Sequence, residues 1–289
     1  MKKILIIGGT RFFGKRLVYK LLQQQQDVTI MTRGSLPTEF EGKVTHIQCD
    51  RTNKEALAQA IGTQQFDVVY DNVNYGPHDA QDAVEIFSGK TKRYIFTSTL
   101  SVHEADGIAK SEKDFAPYTY PVLLGERNEV SYGEGKRLAE AVFFQKADFP
   151  VVAVRFPIVM GEDDYTERLL FHIKHVQQHL PISFINIEAK MGFITSEEAA
   201  DFLLWAGNEH FVGPIHAAST GIISNQELIQ LIEESTGEKA IISLLGDEVN
   251  QSPYAIPKSW YLKTNLAQQL GYNFTDLHQW LPELIKKLV

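Results

Sequence analysis

The chain has 289 residues, 44% of them hydrophobic and 22% charged, enough apolar material for one large or two modest folded domains. Its formal net charge of -8 opposes nonspecific attraction to nucleic-acid phosphates and anionic membranes, and no apolar run is long enough for a bilayer span. Cys49 is the single cysteine, which excludes an intramolecular disulfide and a cysteine-based metal cluster and leaves buried packing as its expected role. The first predicted strand, Lys3 to Ile7, starts so close to Met1 that no signal peptide is expected, and the protein is expected to be cytoplasmic. That strand runs into Gly8-Gly9-Thr10-Arg11-Phe12-Phe13-Gly14 and then an amphipathic helix. Glycines allow a tight turn beneath a pyrophosphate, and the N–H groups at a helix start attract the anion. Arg11 stands where a G-x-x-G-x-x-G pattern would place its middle glycine.

Further along, Val28 to Thr32, Val44 to Gln48, Phe66 to Asp71, Arg93 to Ser98 and Val151 to Arg155 read as strands. Helices are expected at Phe13 to Gln24, Asn53 to Ile61, Asp79 to Phe87 and Ser131 to Lys146. Near-continuous apolar strands alternating with amphipathic helices predict an α/β fold with a doubly wound parallel sheet, which binds ligands at the carboxyl ends of its strands. After Arg155 the rhythm changes, with helices expected near Tyr165 to His179, Ser196 to Gly207, Asn225 to Ser235 and Trp260 to Leu270, and a short strand at Gly213 to Ala217. Residues 1–160 are assigned to a nucleotide-binding domain to which 191–217 return, and 161–190 and 218–289 to a smaller substrate lobe. Arg168, His172 and His175 share near-helical spacing and either face an anionic substrate or form a solvated helix face.

Tyr132 and Lys136 form Y-x-x-x-K at the start of a predicted helix, and four residues apart means one helical face. A tyrosine must fall from about 10 toward neutrality to exchange protons efficiently, and an ammonium within about 4 to 6 Å supplies roughly one to three units. The run Tyr94 to His103 reads as a buried-type strand ending in a hydroxyl cluster that includes Thr97-Ser98-Thr99 and Ser101, which either holds a substrate oxygen or caps the strand and its turn.

Taken together, Gly8 to Gly14, Asp50, Thr97-Ser98-Thr99, Tyr132 with Lys136, Arg155-Phe156-Pro157 and Gly192 to Ala200 resemble the short-chain dehydrogenase/reductases, specifically the extended NAD(P)-dependent epimerase/dehydratase branch. The resemblance implies a Rossmann fold and an enzyme acting on a carbonyl/alcohol pair of a small-molecule carbonyl or sugar substrate, as an oxidoreductase or an epimerase/dehydratase. It implies that Tyr132 is the acid-base group, that Lys136 lowers its pKa and binds the nicotinamide ribose, and that Thr99 bonds the reacting oxygen. Gly8, Thr10, Arg11, Phe12, Phe13 and Gly14 would hold the dinucleotide. Asp50 would accept from the adenine amino group, unless it is a turn carboxylate before Arg51. Members of the family commonly form homodimers through the helix carrying Y-x-x-x-K.

Several positions depart from the pattern. NAD-preferring relatives place an acid at the end of strand two, where this chain has Thr32-Arg33-Gly34. Arg33 with Arg11 would suit a 2'-phosphate, so NADP(H) is expected over NAD; otherwise Arg33 is a solvated loop residue and Arg11 packs over adenine. The last arginine is Arg168, so no later arginine can clamp a sugar-nucleotide pyrophosphate. His103 stands where the family often has tyrosine. The turn is also similar to an atypical branch that includes chloroplast stem-loop RNA-binding proteins, which leaves a noncatalytic NADP(H) sensor or scaffold, or RNA binding, as alternatives to catalysis. The acidic charge disfavours RNA.

Overall fold

The computed structural model describes residues 1–35, 39–40, 42–125, 129–243, 246 and 249–289. From the N-terminus the elements are β1 (Lys3–Ile7), α1 (Phe12–Gln23), β2 (Asp27–Thr32), β3 (Thr45–Gln48), α2 (Lys54–Ile61), β4 (Val68–Asp71), α3 (Pro77–Phe87), β5 (Tyr94–Thr99), α4 (Tyr132–Lys146) and β6 (Val151–Phe156). The chain continues through β7 (Ile158–Met160), α5 (Arg168–Gln177), β8 (Pro181–Ser183), β9 (Lys190–Met191), β10 (Phe193–Thr195) and α6 (Ser196–Asn208). It ends with β11 (Gly213–His216), β12 (Ile223–Ser224), α7 (Asn225–Thr236), β13 (Ile241–Ser243), α8 (Asn265–Gln269) and α9 (Leu277–Leu288). Two compact units result: Met1–His103, Glu112–Phe156 and Glu197–His216 form the first, and Glu104–Ser111, Pro157–Ser196 and Ala217–Val289 the second. No described helix is long and apolar enough to cross a membrane.

The first unit is built on a seven-stranded sheet in the order β11-β6-β5-β4-β1-β2-β3. All its strand pairs are parallel, as the apolar runs predict. Every residue of β4, β5 and β6 is buried, because helices cover the sheet. On one face Leu57 and Ile61 of α2, Ala80, Ala83 and Phe87 of α3, and Ala139, Val142 and Phe143 of α4 pack on Leu5, Val69, Phe96 and Ala153. This is a Rossmann-like doubly wound α/β fold. Chain order reverses between β1 and β4, so the crevice beyond their carboxyl ends is the switch point at which such sheets bind ligands.

In the second unit α5, α7 and α9 enclose a separate core containing Ile173, Leu228, Ile232, Leu281 and Ile285. Ser224 and Glu227 form a capping box that starts α7, and Gly237, at a φ of 76°, ends it. Here the structure departs from the sequence expectations. The helix expected over Trp260 to Leu270 shrinks to α8, because the backbone before it pairs elsewhere: Trp260 N donates to Lys190 O (2.8 Å) and Lys263 N to Lys110 O (2.7 Å). Helix α9 was not anticipated, although Leu277, Leu281, Leu284 and Ile285 make a buried stripe at helical spacing. Nor are His172 and His175 a solvated face. Both are buried, and His172 stacks on Tyr254 at 4.7 Å while its Nε2 meets the Ser252 hydroxyl at 2.7 Å. Burial pushes its pKa down to about 4, so it packs as a neutral ring.

Gly14 is where α1 approaches β1 most tightly, since a Cβ there would stand 2.4 Å from the Gly8 carbonyl oxygen. Backbone cannot yield as a flexible side chain can. Gly14→Ala is therefore expected to lower unfolding free energy by about 1–3 kcal/mol in urea titrations, despite the better helix propensity of alanine. An unchanged urea midpoint would show that the turn has slack.

Candidate active site

At the switch point Ile7 of β1 lies beside Asp71 of β4, which places Gly8 next to Asn72. Gly8 has a φ of 87°, a left-handed conformation open to glycine, and a Cβ there would stand 2.7 Å from Val73 Cγ1. Phe12, the first residue of α1, also has a positive φ of 51°, which is rare for a bulky residue and stores local strain. Its ring is buried beside Phe13, which in turn lies 5.8 Å from Phe156. Thr10 is half-buried and Arg11 is exposed just ahead of the helix. A turn with no room for Cβ atoms, feeding a helix start, fits a dinucleotide pyrophosphate.

The ends of β2 and β3 carry the remaining nucleotide candidates. Arg33 is exposed, and its carbonyl accepts from Gln48 Nε2 at 3.2 Å. Asp50 is also exposed, with Oδ1 accepting from Thr52 N (3.0 Å) and the Thr52 hydroxyl (2.8 Å). These hydrogen bonds, with weaker help from Arg33 and Arg51, hold its carboxyl below the ordinary value. Asp50 thus has turn-carboxylate geometry. Cys49 is buried, and burial raises its thiol pKa. Among the described residues no group of three or more His, Cys, Asp or Glu side chains could hold a metal ion.

The Y-x-x-x-K pair opens α4, where Ser131 caps the helix by accepting from Glu134 N. Tyr132 is 53% exposed and Lys136 only 1%, so one face of the helix carries a solvent-facing phenol above a buried ammonium. Lys136 Nζ donates to the Asn74 carbonyl at 2.6 Å and the Thr97 carbonyl at 2.7 Å. It lies 4.7 Å from the Phe96 ring centre, 5.0 Å from that of Tyr75 and 5.9 Å from that of Tyr132. Burial pushes its pKa down to about 7, against the opposing pull of Asp71, Glu140 and Asp79. Two glycines make this depth possible: a Cβ on Gly133 would stand 2.3 Å from Ser101 O, and one on Gly135 2.7 Å from Tyr75 O. Neither glycine belongs to the Y-x-x-x-K pattern itself, so spacing alone does not single them out.

Thr99 ends β5 and caps the short turn Leu100–Val102, its hydroxyl oxygen accepting from Ser101 N at 3.1 Å and donating to Ser101 Oγ at 3.3 Å. Because Ser101 O abuts Gly133, Thr99 and Tyr132 reach the same edge of the sheet. Asn72, which the sequence reading also missed, ties that edge to the glycine turn. Its Nδ2 donates to Gly8 O (3.2 Å) and its Oδ1 accepts from Thr97 Oγ1 (2.8 Å). Polar residues directly after the apolar Val68-Val69-Tyr70 run were the available signal. Arg155 is wholly buried and makes a two-pronged pair with Glu140, Nε to Oε1 at 3.0 Å and Nη2 to Oε2 at 2.6 Å. His103 meets His216, Nε2 to Nε2, at 3.0 Å in the interior.

A parallel doubly wound sheet with this turn at its switch point defines a dinucleotide-binding α/β protein. The sequence pattern of the NAD dependent epimerase/dehydratase family matches residues 4–216, and the chain belongs to that family. Among solved structures it is similar to the Bacillus cereus UDP-glucuronic acid 4-epimerase Y149F mutant in complex with a fluorinated UDP-sugar and NAD, at 20% identity and a TM-score of 0.77 over 99% of this chain and 100% of that one. It is also similar to the Thermus thermophilus UDP-glucose 4-epimerase complexed with NAD, at 14% identity and a TM-score of 0.75 over 99% and 98%. At these identities the likeness is one of fold. The chloroplast stem-loop binding protein of 41 kDa b from Arabidopsis thaliana is 26% identical over 224 residues, 72% of this chain. The match spans only 56% of that relative's length.

Lys136 makes a pH-dependent contribution to stability. Its ordinary value is 10.5 and its folded value about 7, so between these limits the unfolded chain holds more protons and folding becomes more favourable as pH rises. Below 7 the full cost of the buried ammonium is present. The stability difference between wild type and Lys136→Met, followed by urea denaturation, is expected to move in favour of wild type from pH 7 to 10. A difference flat across that range contradicts the assignment.

Proposed function

We propose that the protein is an NADP(H)-dependent enzyme acting on a carbonyl/alcohol pair of a sugar or sugar nucleotide, by oxidoreduction or by epimerisation or dehydration. The observation that carries this reading is the buried Lys136 beneath exposed Tyr132 on the helix face that meets the end of β5. When bound, the nicotinamide would accept or return a hydride at the carbon bearing the reacting oxygen. Tyr132 takes the proton from that oxygen or gives it back. Thr99 orients the oxygen through its hydroxyl, and the Lys136 ammonium stabilises the tyrosinate while reaching the nicotinamide ribose. Gly8 to Gly14 hold the pyrophosphate at the start of α1, and Asp50 lies at the adenine end.

Support for a sugar-nucleotide substrate comes from the named substrates of the structural relatives, and support for a nicotinamide dinucleotide from the family and the NAD in those complexes. The preference for NADP(H) rests on this chain's own residues. Arg33 follows β2 where an acid would favour NAD, and Arg11 stands at the start of α1. The second unit is assigned to substrate recognition. The relative named for stem-loop binding raises RNA binding as a second reading, which the net charge of -8 opposes.

Tyr132→Phe is expected to keep cofactor affinity within about threefold and to lose at least about 100-fold in turnover on a panel of UDP-sugars and small carbonyls. Undiminished turnover removes Tyr132 from the mechanism. In parallel calorimetric titrations NADPH is expected to bind more tightly than NADH, and the opposite order would overturn the arginine argument.

A further inference from the structure

Behind the Lys136 site lies a second set of buried charges that the mechanism above does not use. Asp71, at the end of β4, is fully buried and receives Arg51 Nη2 at 2.8 Å, Tyr94 Oη at 2.7 Å and Asn74 Nδ2 at 3.2 Å on Oδ2, with Val73 N at 3.2 Å on Oδ1. Arg51 Nη1 pairs with Asp79 Oδ1 at 2.9 Å, and Asp79 Oδ2 accepts from Tyr75 N at 3.0 Å. The segment from Val73 to Tyr75 is therefore pinned at both ends by carboxylates. Its middle carbonyl, that of Asn74, is the closer of the two acceptors of Lys136 Nζ.

The charges of this group close only when Lys136 is counted. Asp71 and Asp79 carry two negative charges against the one positive charge of Arg51, while Glu140 is already matched by Arg155. A lone excess charge in a buried cluster is costly, and the Lys136 ammonium supplies its opposite.

We propose that Asp71 is a positioning residue for Lys136: through Asn74, and with Arg51 as the counter-charge, it fixes where the ammonium sits and how firmly it holds its proton. Around Lys136 Nζ stand Tyr75 ahead of α3, the Asn74 carbonyl, Phe96 and the Thr97 carbonyl of β5, and Tyr132 of its own helix. The charges that act on it are those of Asp71 of β4, Asp79 of α3, Arg51 before α2 and Glu140 of α4. Asp71 and Asp79 favour the proton, and Arg51 opposes it. The catalytic consequence rests on the role given to Tyr132 and Lys136 above, because a lysine that loses its proton can no longer stabilise a tyrosinate.

The test needs neither cofactor nor substrate. The full chain is labelled with 13Cε-lysine, the Lys136 resonance is assigned by its loss in Lys136→Met, and its titration is followed by NMR. Asp71→Asn is expected to lower the midpoint by about one pH unit or more, and Asp79→Asn to lower it by a smaller amount. Backbone amide spectra check that each variant is folded. If Asp71→Asn does not fold, Asn74→Ala decides, since it removes the Nδ2 bond to Asp71 and keeps the carbonyl that accepts from Lys136, and it is likewise expected to lower the midpoint. A midpoint that stays put or rises in the deciding variant overturns the proposal. A wild-type protein that fails to bind NADPH or turn over any substrate would refute the proposed function while leaving this titration readable.

Discussion

Two hydrogen bonds from one ammonium, Lys136 Nζ to the carbonyls of Asn74 and Thr97, organise the carboxyl edge of the sheet. They join three elements that the chain reaches at widely separated positions: the segment after β4, the end of β5 and the first turns of α4. From Thr97 the path continues through its hydroxyl to Asn72 and on to the Gly8 carbonyl. The glycine turn and helix α4 are thus tied by three side chains, those of Lys136, Thr97 and Asn72. Each bond requires close backbone approach, and Gly14, Gly133 and Gly135 supply it where a methyl group would collide with a carbonyl oxygen.

Burying that ammonium is unfavourable in itself, and the surrounding structure is arranged to offset it. Carbonyl dipoles, the faces of Phe96 and Tyr75, and the excess negative charge of Asp71 and Asp79 over Arg51 all favour the charged form. Desolvation still dominates, so Lys136 titrates near neutrality. A proton-holding group poised there can respond to small changes in its surroundings, as acid-base chemistry at neutral pH requires. The Arg155–Glu140 pair on the neighbouring strand and helix serves a different end. With Ser98 Oγ donating to Glu140 and the carbonyls of Glu112 and Phe115 accepting from Arg155, it ties α4 to β5 and β6.

Much of the first unit was legible in the sequence because its signals are local. Apolar runs such as Val151 to Arg155 alternating with amphipathic helices predict a parallel doubly wound sheet, but the order of its strands is a tertiary fact. The second unit was less legible: β7, β8, β9, β10, β12 and β13 are two or three residues long, too short for any period to register. Helix α9 carried a clear stripe but contains Pro282, which argues against a helix in isolation. His172 and His175 had helical spacing, but which face of α5 turns inward is a tertiary fact. At the site, the Y-x-x-x-K spacing is common by itself and gains meaning only beside the glycine turn. The Asp71, Arg51, Tyr94 and Asn74 cluster was not legible, because its members come from three separate segments and only the sheet brings them together.

In the proposed function a cofactor binds where Lys136 can answer it with a proton. Calorimetric titration of the wild-type protein with NADPH at pH 7, repeated in buffers of different ionisation enthalpy, measures the protons exchanged on binding. In the proposed complex the ribose hydroxyls and phosphate charge would favour the ammonium of Lys136, whose pKa burial pushes down to about 7. Uptake of a fraction of a proton is therefore expected on NADPH binding, and it is expected to disappear in Lys136→Met. Binding heats independent of the buffer, or uptake that persists without Lys136, would contradict it.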